Sequence, residues 1–447
     1  MSTASPTAYH RRSRSSRRSP WAWIPTLYVA EGLPYFAVNV LTVLMYKNMG
    51  VPLAEMAFFT AWLYLPWVIK PFWSPFVDLF KTKRLWVLAM QLLIAVSMAA
   101  VGFLLPTSFF FSATLVAFWL MGFFSATHDI AADGYYMLEL TEHEQAAYVG
   151  VRSTFYRIAS VIGQGGLVIL AGKLEESWGD VPKAWSAVFL MLSAFFLLVM
   201  IYHVYAMPKP ASDKPVAGVT ARTIVRDFAM TFVTFFKKPN IGTALLFMLL
   251  YRLPEALCVK MVQPFLVSTR AEGGLGLTTA QVGVANGTVG VIALLAGGIL
   301  GGIAISRGGL KKWLWPMALS LTLPCIFYCF LAMFQPENFL LICTAVGIEQ
   351  FGYGFGFTAY MLYLIYFSRG ESQTSHYAFC TAFMALGMML PGMAAGWLHD
   401  VMENLNIFGA GSPQGYVNFF WVVMLFCIAT LYSCMIVKID PRFGKKS

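Results

Sequence analysis

The 447-residue chain has little charge. Its 31 Lys and Arg residues and 21 Asp and Glu residues make up only 12% of the sequence, whereas soluble domains carry about 25%. Hydrophobic residues account for 58% and aromatic residues for 16%. So little polar surface cannot keep a folded chain in water, which excludes a cytosolic enzyme and a disordered scaffold.

Cysteine is also scarce and lacks a pattern. There are seven cysteines, an odd number, and each lies inside an apolar run. Neither a disulfide framework nor the paired spacing of a metal site is present. We therefore expect buried apolar cysteines, no bound metal and no cofactor.

Long apolar runs, by contrast, are abundant. A bilayer-spanning helix needs about 20 apolar residues, and twelve such runs occur. They lie at 21–46, 56–80, 85–105, 109–138, 146–172, 184–207, 240–269, 279–305, 311–334, 338–368, 374–402 and 415–438. Lipid favours helices for such spans because helices pair their own backbone groups. The sequence predicts an all-α membrane protein with twelve transmembrane helices.

The longest polar interruption, 208–239, divides the spans into two groups of six. We predict a basic tail at 1–20, a six-helix bundle at 21–207, and a linker with an amphipathic helix at 208–239. A second six-helix bundle at 240–438 and a tail at 439–447 follow. Residues 1–20 are followed by no small-residue cleavage site, so they are predicted to be a retained tail and not a signal peptide.

Basic residues are distributed unequally between the two sides of these spans. Twenty-two of the 31 Lys and Arg residues lie on the side of the two tails, and four lie on the other side. Cytoplasmic loops carry the excess of positive charge. We expect both termini in the cytoplasm and a multi-pass protein of the cell inner membrane. The net charge of +10 then reports topology and not a nucleic-acid partner.

The two halves show a faint repeat at an offset of about 220 residues, with matching topology in both halves. Its members are Leu33-Pro34 with Leu253-Pro254, His128-Asp129 with Glu349-Gln350, and the Lys83-Arg84 turn with Lys311-Lys312. Two parallel six-helix repeats resemble the major facilitator arrangement, in which the substrate site lies at the midplane between the halves.

Ten charged residues lie inside the spans, where an ionised group costs about 2.5–3.5 kcal/mol. Their equal numbers suggest mutual pairing. The acids are Glu31, Asp129, Asp133, Glu255 and Glu349, and the bases are Lys70, Arg152, Arg157, Arg252 and Lys260.

Depth along the helices suggests which charges meet. At 1.5 Å per residue, Asp129 and Arg157 both lie about 15 Å deep, and Asp133 and Arg152 lie one turn shallower. We therefore predict a ladder of Asp129 with Arg157 and Asp133 with Arg152. The ladder either holds spans 4 and 5 in register, or Asp129 takes up a proton and frees Arg157 for an anionic substrate.

Histidine near this layer has two interpretations. His128 either relays protons to Asp129 or is a packed helix residue. Three other histidines, His203, His376 and His399, lie near span ends and are expected to be solvated.

Particular segments resemble the AmpG-type muropeptide permeases, in the peptide, acetyl-CoA and drug transporter group of the major facilitator superfamily. They are Glu31-Gly-Leu-Pro34, LPWVIKPFWSPFVD at 65–78, ATHDIAAD at 126–133, Tyr156-Arg157, Tyr251-Arg252-x-x-Glu255 and Pro391-Gly-x-x-Ala-Gly-Trp397. The resemblance implies proton-coupled import of anhydro-muropeptides for peptidoglycan recycling. The family's intramembrane aspartate falls on Asp129. The chain departs from the family at His128, where Gln is common, and at Arg252 and Glu255, where Lys and Asp are common.

Pattern and resemblance together give three sets of candidate residues. Proton coupling is assigned to Asp129, Asp133, Glu31 and His128. Substrate binding is assigned to Lys70, Arg157, Arg252, Glu255, Trp67, Tyr35, Tyr156, Glu349 and Gln350. Gating is assigned to Asp78, Lys83, Arg84, Arg307, Pro391 and Gly392.

We expect a monomeric transporter, not an enzyme, whose partners are an anionic sugar-peptide, protons and membrane lipid. Three alternatives remain open. The first is another large anionic substrate, such as acetyl-CoA, a peptide or a siderophore-like compound. The second is a membrane-embedded transferase, and the third is a receptor that does not transport.

Overall fold

The computed structural model describes residues 18–79, 81–140, 142–210, 213, 221–370, 373–405 and 414–443. Helices and turns make up these residues, and no strand occurs among them. Because helices pair their backbone polar groups internally, the spans can lie in lipid. The all-α prediction is confirmed.

The first half contains six spans in the predicted order. They are span 1 (Pro20–Asn48), span 2 (Leu53–Trp62 and Leu65–Leu79), span 3 (Lys83–Leu104), span 4 (Phe110–Glu139), span 5 (Glu142–Val161, Ile162–Leu167 and Val168–Trp178) and span 6 (Val181–Ala206). The linker helix, Ala221–Phe236, follows.

The second half repeats this order. Its spans are span 7 (Ile241–Leu250 and Leu253–Val267), span 8 (Thr279–Gly308), span 9 (Leu310–Phe334), span 10 (Phe339–Ser368), span 11 (Gln373–Glu403) and span 12 (Gly415–Ile436).

Among the described residues, ten of the twelve spans contain a continuous helical stretch long and apolar enough to cross a membrane. The other two, spans 2 and 7, are each broken in the middle, at Leu63–Tyr64 and at Tyr251–Arg252. A proline follows each break, Pro66 and Pro254, at the second residue of the next helix. Proline suits the first turn of a helix because it has no N–H to pair. The two halves thus carry matching breaks.

Glycines bring particular spans close together. A Cβ added to Gly354 would lie 2.0 Å from the Leu294 carbonyl oxygen, and one added to Gly297 would lie 2.2 Å from the Phe351 carbonyl oxygen. Spans 8 and 10 therefore cross with their backbones in direct contact, the packing role expected of small residues in membrane helices.

The two halves meet at the side of the molecule away from the chain ends, here called the opposite face. Pro20 and Phe443 lie on the other side, here called the terminal face, because twelve crossings return the chain to its starting side. Gly396 at the end of span 11 packs on the Leu53 backbone at the start of span 2. Asn48 donates to Thr279 across the halves at 2.7 Å. These contacts close the opposite face.

An apolar cluster seals the middle of this interface. Tyr64 of span 2, Ala256 of span 7 and Met388 and Met389 of span 11 are buried together.

Candidate functional site

Three carboxylates from two spans form what we call the acidic cluster: Glu31, Asp129 and Asp133. One oxygen of each lies within 4.8 Å of the others. Asp129 and Asp133 are four residues apart, so they share one face of span 4. Span 1 packs beside that face and contributes Glu31.

Lys70 of span 2 forms an ion pair with Asp129. The predicted pair of Asp129 with Arg157 is wrong. Arg157 is exposed and has no ion-pair or hydrogen-bond partner in the described part of the chain. The reason is rotation: Arg152 and Arg157 are five residues apart and point about 140° apart around span 5. They cannot both face span 4.

The other rung of the predicted ladder is confirmed. Arg152 approaches Asp133 at 2.8 Å, and the Tyr28 hydroxyl donates to the same carboxylate at 3.2 Å. The guanidinium lies 4.7 Å from the centre of the Tyr28 ring and 5.7 Å from that of Tyr136. Aromatic faces stabilise a cation at such distances.

Glu31 differs from its two neighbours. It is only 8% exposed, and its Oε2 atom has no hydrogen-bond partner among the described residues. Lys70 and Arg152 each neutralise one aspartate, which leaves the cluster one negative charge in excess. A proton or a monovalent cation is sufficient to balance it.

His128 faces away from the acidic cluster. It is fully buried and lies 3.0 Å from Gln91 of span 3, whose side chain also contacts His203 of span 6. Thr26 of span 1 lies 2.8 Å from His203. These four side chains join spans 1, 3, 4 and 6 through one buried polar chain, as the packed interpretation of His128 requires.

The other histidines expected to be solvated are buried. His203 is 0% exposed, and His376 and His399 are each 5% exposed. Hydropathy places them near the ends of spans, but it does not reveal that neighbouring helices cover them there.

The second half holds a closed ion pair at the break of span 7. Arg252 donates to both oxygens of Glu255 at 2.7 Å and to the Tyr353 hydroxyl at 2.9 Å. The guanidinium also lies 4.6 Å from the centre of the Phe357 ring. Because the break makes Arg252 the residue before the second helix, Glu255 follows one turn later and faces it.

Glu349 lies inside the second half. It is 4% exposed and accepts hydrogen bonds at 2.9 Å from the Tyr328 hydroxyl of span 9 and from Gln350. The Gln350 side chain lies beside Gly290 of span 8. Neither Glu349 nor Gln350 contacts the acidic cluster.

Aromatic rings line the first half near the cluster. The Tyr35 ring lies 5.2 Å from Trp67 and 6.4 Å from Tyr64. Tyr156 packs 5.9 Å from Phe36. Tyr35, Trp67 and Tyr156 are half-buried, so each keeps part of its surface available.

The expected gating residues fall in separate places. Lys83 and Arg84 begin span 3, and both of their backbone N–H groups donate to Asp213, at 2.7 and 3.0 Å. Arg307 is exposed at the end of span 8. The Asp78 side chain lies outside the described residues.

Pro391 and Gly392 lie in the middle of span 11. A Cβ on Gly392 would contact Ala61 of span 2 and the Lys260 side chain, each at 3.4 Å. Sequence reasoning counted Lys260 among the intramembrane bases but assigned it no role. Its depth in span 7 was visible, whereas its position between the halves was not.

Comparisons with known proteins agree with this architecture. The family model described as Major Facilitator Superfamily matches residues 26–391. The anhydromuropeptide permease of Escherichia coli (strain K12) is 26% identical over 337 residues, covering 74% of this chain and 64% of that protein. The chain thus spans just under two thirds of that relative's length. A putative transporter AmpG 4 of Rickettsia conorii is 24% identical and covers 92% of this chain and 94% of that protein.

Solved structures with the same fold are more distant in sequence. A D-xylose-proton symporter superposes with a TM-score of 0.71 at 11% identity, covering 96% of this chain and 99% of that one. A bacterial homologue of the lysosomal transporter Spinster, in an inward-facing conformation, superposes with a TM-score of 0.68 at 13% identity, covering 94% and 97%. With the family model matching most of its length, the chain belongs to the Major Facilitator Superfamily.

Proposed function

We propose that this chain is a secondary transporter that imports anhydro-muropeptides, the sugar-peptide fragments of the cell wall, across the bacterial inner membrane together with protons. The imported fragments then serve peptidoglycan recycling. The names of the relatives support the substrate class. The excess of Lys and Arg on the terminal face supports a cytoplasmic position for both chain ends, so that the opposite face borders the periplasm.

One observation carries the coupling mechanism: the Lys70–Asp129 pair is partly exposed at mid-depth, with side-chain exposures of 29% and 22%. A proton that binds Asp129 removes the charge that holds Lys70. The freed ammonium can then bind a carboxylate of the substrate. Proton and substrate thus reinforce each other's binding, which is the requirement for symport.

Other residues of the site fit a sugar-peptide with carboxylates. Arg157 is exposed and has no anionic partner among the described residues, so it is available to a second carboxylate. The half-buried rings of Tyr35 and Trp67 offer apolar faces for a sugar ring. Arg252 is occupied by Glu255 in this state and joins the site only if that pair opens.

The test is uptake of radiolabelled anhydro-muropeptide by purified protein in liposomes with an imposed pH gradient. The wild type is expected to accumulate the ligand only when the outside is acidic. Asp129→Asn is expected to lose accumulation but keep exchange of labelled for unlabelled ligand, because its neutral side chain mimics the protonated acid. Lys70→Met is expected to lose both activities.

A matched control is Glu176→Gln, which removes an exposed carboxylate at the opposite face and should transport normally. Uptake by the wild type that ignores the pH gradient contradicts symport. No uptake of this ligand, with uptake of acetyl-CoA, a peptide or a siderophore-like anion instead, contradicts the substrate assignment alone.

A further inference from the structure

Lys260 of span 7 is a buried cation at the interface between the halves. Its side chain is 1% exposed. Its Nζ atom donates to the Thr60 hydroxyl at 3.2 Å and lies 5.2 Å from the centre of the Tyr64 ring. Both partners belong to span 2, in the other half. The burial of Lys260 therefore depends on the closure of the opposite face.

No carboxylate in the described part of the chain neutralises this ammonium. None of the described acids lies within 4.0 Å of Nζ. Glu255, the acid on the same span, accepts hydrogen bonds from Arg252 with both of its carboxylate oxygens. An ammonium has three N–H donors, and the Thr60 oxygen accepts one of them. A buried charge without a counter-ion costs several kcal/mol, whereas a neutral amine in the same place avoids most of that cost.

We propose that Lys260 is a proton-binding site of its own, separate from the acidic cluster, and that its proton must leave before the opposite face can close. When the opposite face is open, the Lys260 ammonium is hydrated and stays charged. On closure one N–H bond breaks, the electron pair stays on Nζ, and water takes the proton. The amine keeps a second N–H for the Thr60 hydroxyl, whose own proton is donated to the Met56 carbonyl oxygen at 2.7 Å.

Other titratable groups on the elements packed against span 7 have to be distinguished from Lys260. They include Glu31, Tyr35, Tyr46 and Lys47 on span 1, Glu55, Tyr64 and Lys70 on span 2, Arg252, Glu255 and Cys258 on span 7, His399, Asp400 and Glu403 on span 11, and Tyr416 on span 12. The Tyr64 ring centre lies 5.2 Å from the Lys260 ammonium, and the Tyr64 hydroxyl carries no charge at neutral pH.

The experiment measures closure directly and needs no substrate. Spin labels are attached at Glu176→Cys, at the end of span 5, and at Glu337→Cys, between spans 9 and 10. Both positions are exposed at the opposite face, one on each half. The native cysteines are buried, and labelling of the unmodified chain checks that they stay unlabelled. Distances between the labels are measured by pulsed electron paramagnetic resonance in lipid nanodiscs from pH 5.5 to 9.5.

Because closure releases one proton, the ratio of the short to the long distance should rise with pH, by at most about tenfold per pH unit. Lys260→Met, an uncharged side chain of similar length, is expected to show the short distance at every pH. Lys260→Arg retains its charge across this range and is expected to show the long distance at every pH. Lys173→Met, which removes an exposed lysine on span 5, should behave as the wild type.

Two results overturn the proposal: a wild-type distance that does not change with pH, or a Lys260→Met variant that keeps the wild-type response. If Lys260→Arg does not fold, the methionine variant still decides. Because no ligand is added, this outcome is independent of the uptake assay, and either hypothesis can fail while the other stands.

Discussion

The sharpest structural prediction concerns Gly396, where span 11 meets span 2. A Cβ added there would lie 2.2 Å from the Leu53 carbonyl oxygen, 2.6 Å from its carbon and 2.7 Å from the Ala54 Cα. Contacts between such atoms are optimal at about 3.5 Å. Because all three are backbone atoms at the start of a helix, no change of rotamer relieves the clash. In the Gly396→Ala variant, spans 2 and 11 must move apart by about 1 Å.

The energetic effect falls on the closed state alone. Overpacking of this kind costs about 1–3 kcal/mol, while in the open state the added methyl group meets water or lipid. Since 1.36 kcal/mol corresponds to a factor of ten, the open-to-closed ratio is expected to rise by about 5- to 150-fold. The label pair at positions 176 and 337 reports that ratio as an increase in the fraction of molecules that show the long distance.

Gly302→Ala is the matched control. It adds the same methyl group to a helical glycine of span 8, where no atom lies within 4 Å of the new Cβ, and it should leave the distances unchanged. An unchanged distance distribution in Gly396→Ala would refute the reasoning, because it would mean that spans 2 and 11 are not in backbone contact there.

Three further tests probe the ion pairs and the linker, each by thermal unfolding in detergent. Each of the single variants Asp129→Asn and Lys70→Met leaves one charge without its partner, so each is expected to lower the melting temperature more than the double variant does. A melting temperature that falls as far or further in the double variant contradicts the pair. Glu255→Gln leaves Arg252 buried without a counter-ion and is expected to cost about 3–5 kcal/mol; a loss below about 1 kcal/mol contradicts this. Asp213→Ala removes the carboxylate that accepts two N–H groups at the start of span 3 and should cost about 0.5–2 kcal/mol; no loss contradicts the capping role.

The membrane spans could be predicted from sequence because apolar length alone determines them. The breaks could not, since hydropathy averages over a window and passes across a kink. Span 2 shows this: the run at 56–80 looks continuous, yet its helix stops before Leu65-Pro66. Proline was visible in the sequence, but whether it bends or ends a helix depends on the neighbouring spans.

The pairing of charges was predicted half correctly, for a geometric reason. Position along a span gives the depth of a side chain, and depth correctly placed Asp133 beside Arg152. The partner of Asp129 also depends on the rotation of span 5 and on which span lies next to span 4. Rotation turns Arg157 away, and Lys70 takes its place from span 2. The sequence does not specify how spans that are distant in the chain are aligned with one another.

The equal numbers of acids and bases inside the spans do not mean that all of these charges are paired. Three ion pairs form among these acids and bases in the described part of the chain. Two buried acids, Glu31 and Glu349, and two bases, Lys260 and Arg157, have no partner of opposite charge there. Paired charges resist change, because removing either partner leaves the other buried. The four unpaired groups can therefore change without breaking an ion pair: the acids can gain a proton, Lys260 can lose one, and the exposed Arg157 can bind an anion. Protonation of Asp129 differs, because it opens the partly exposed pair with Lys70, and this release of Lys70 is the step that links the proton to the substrate.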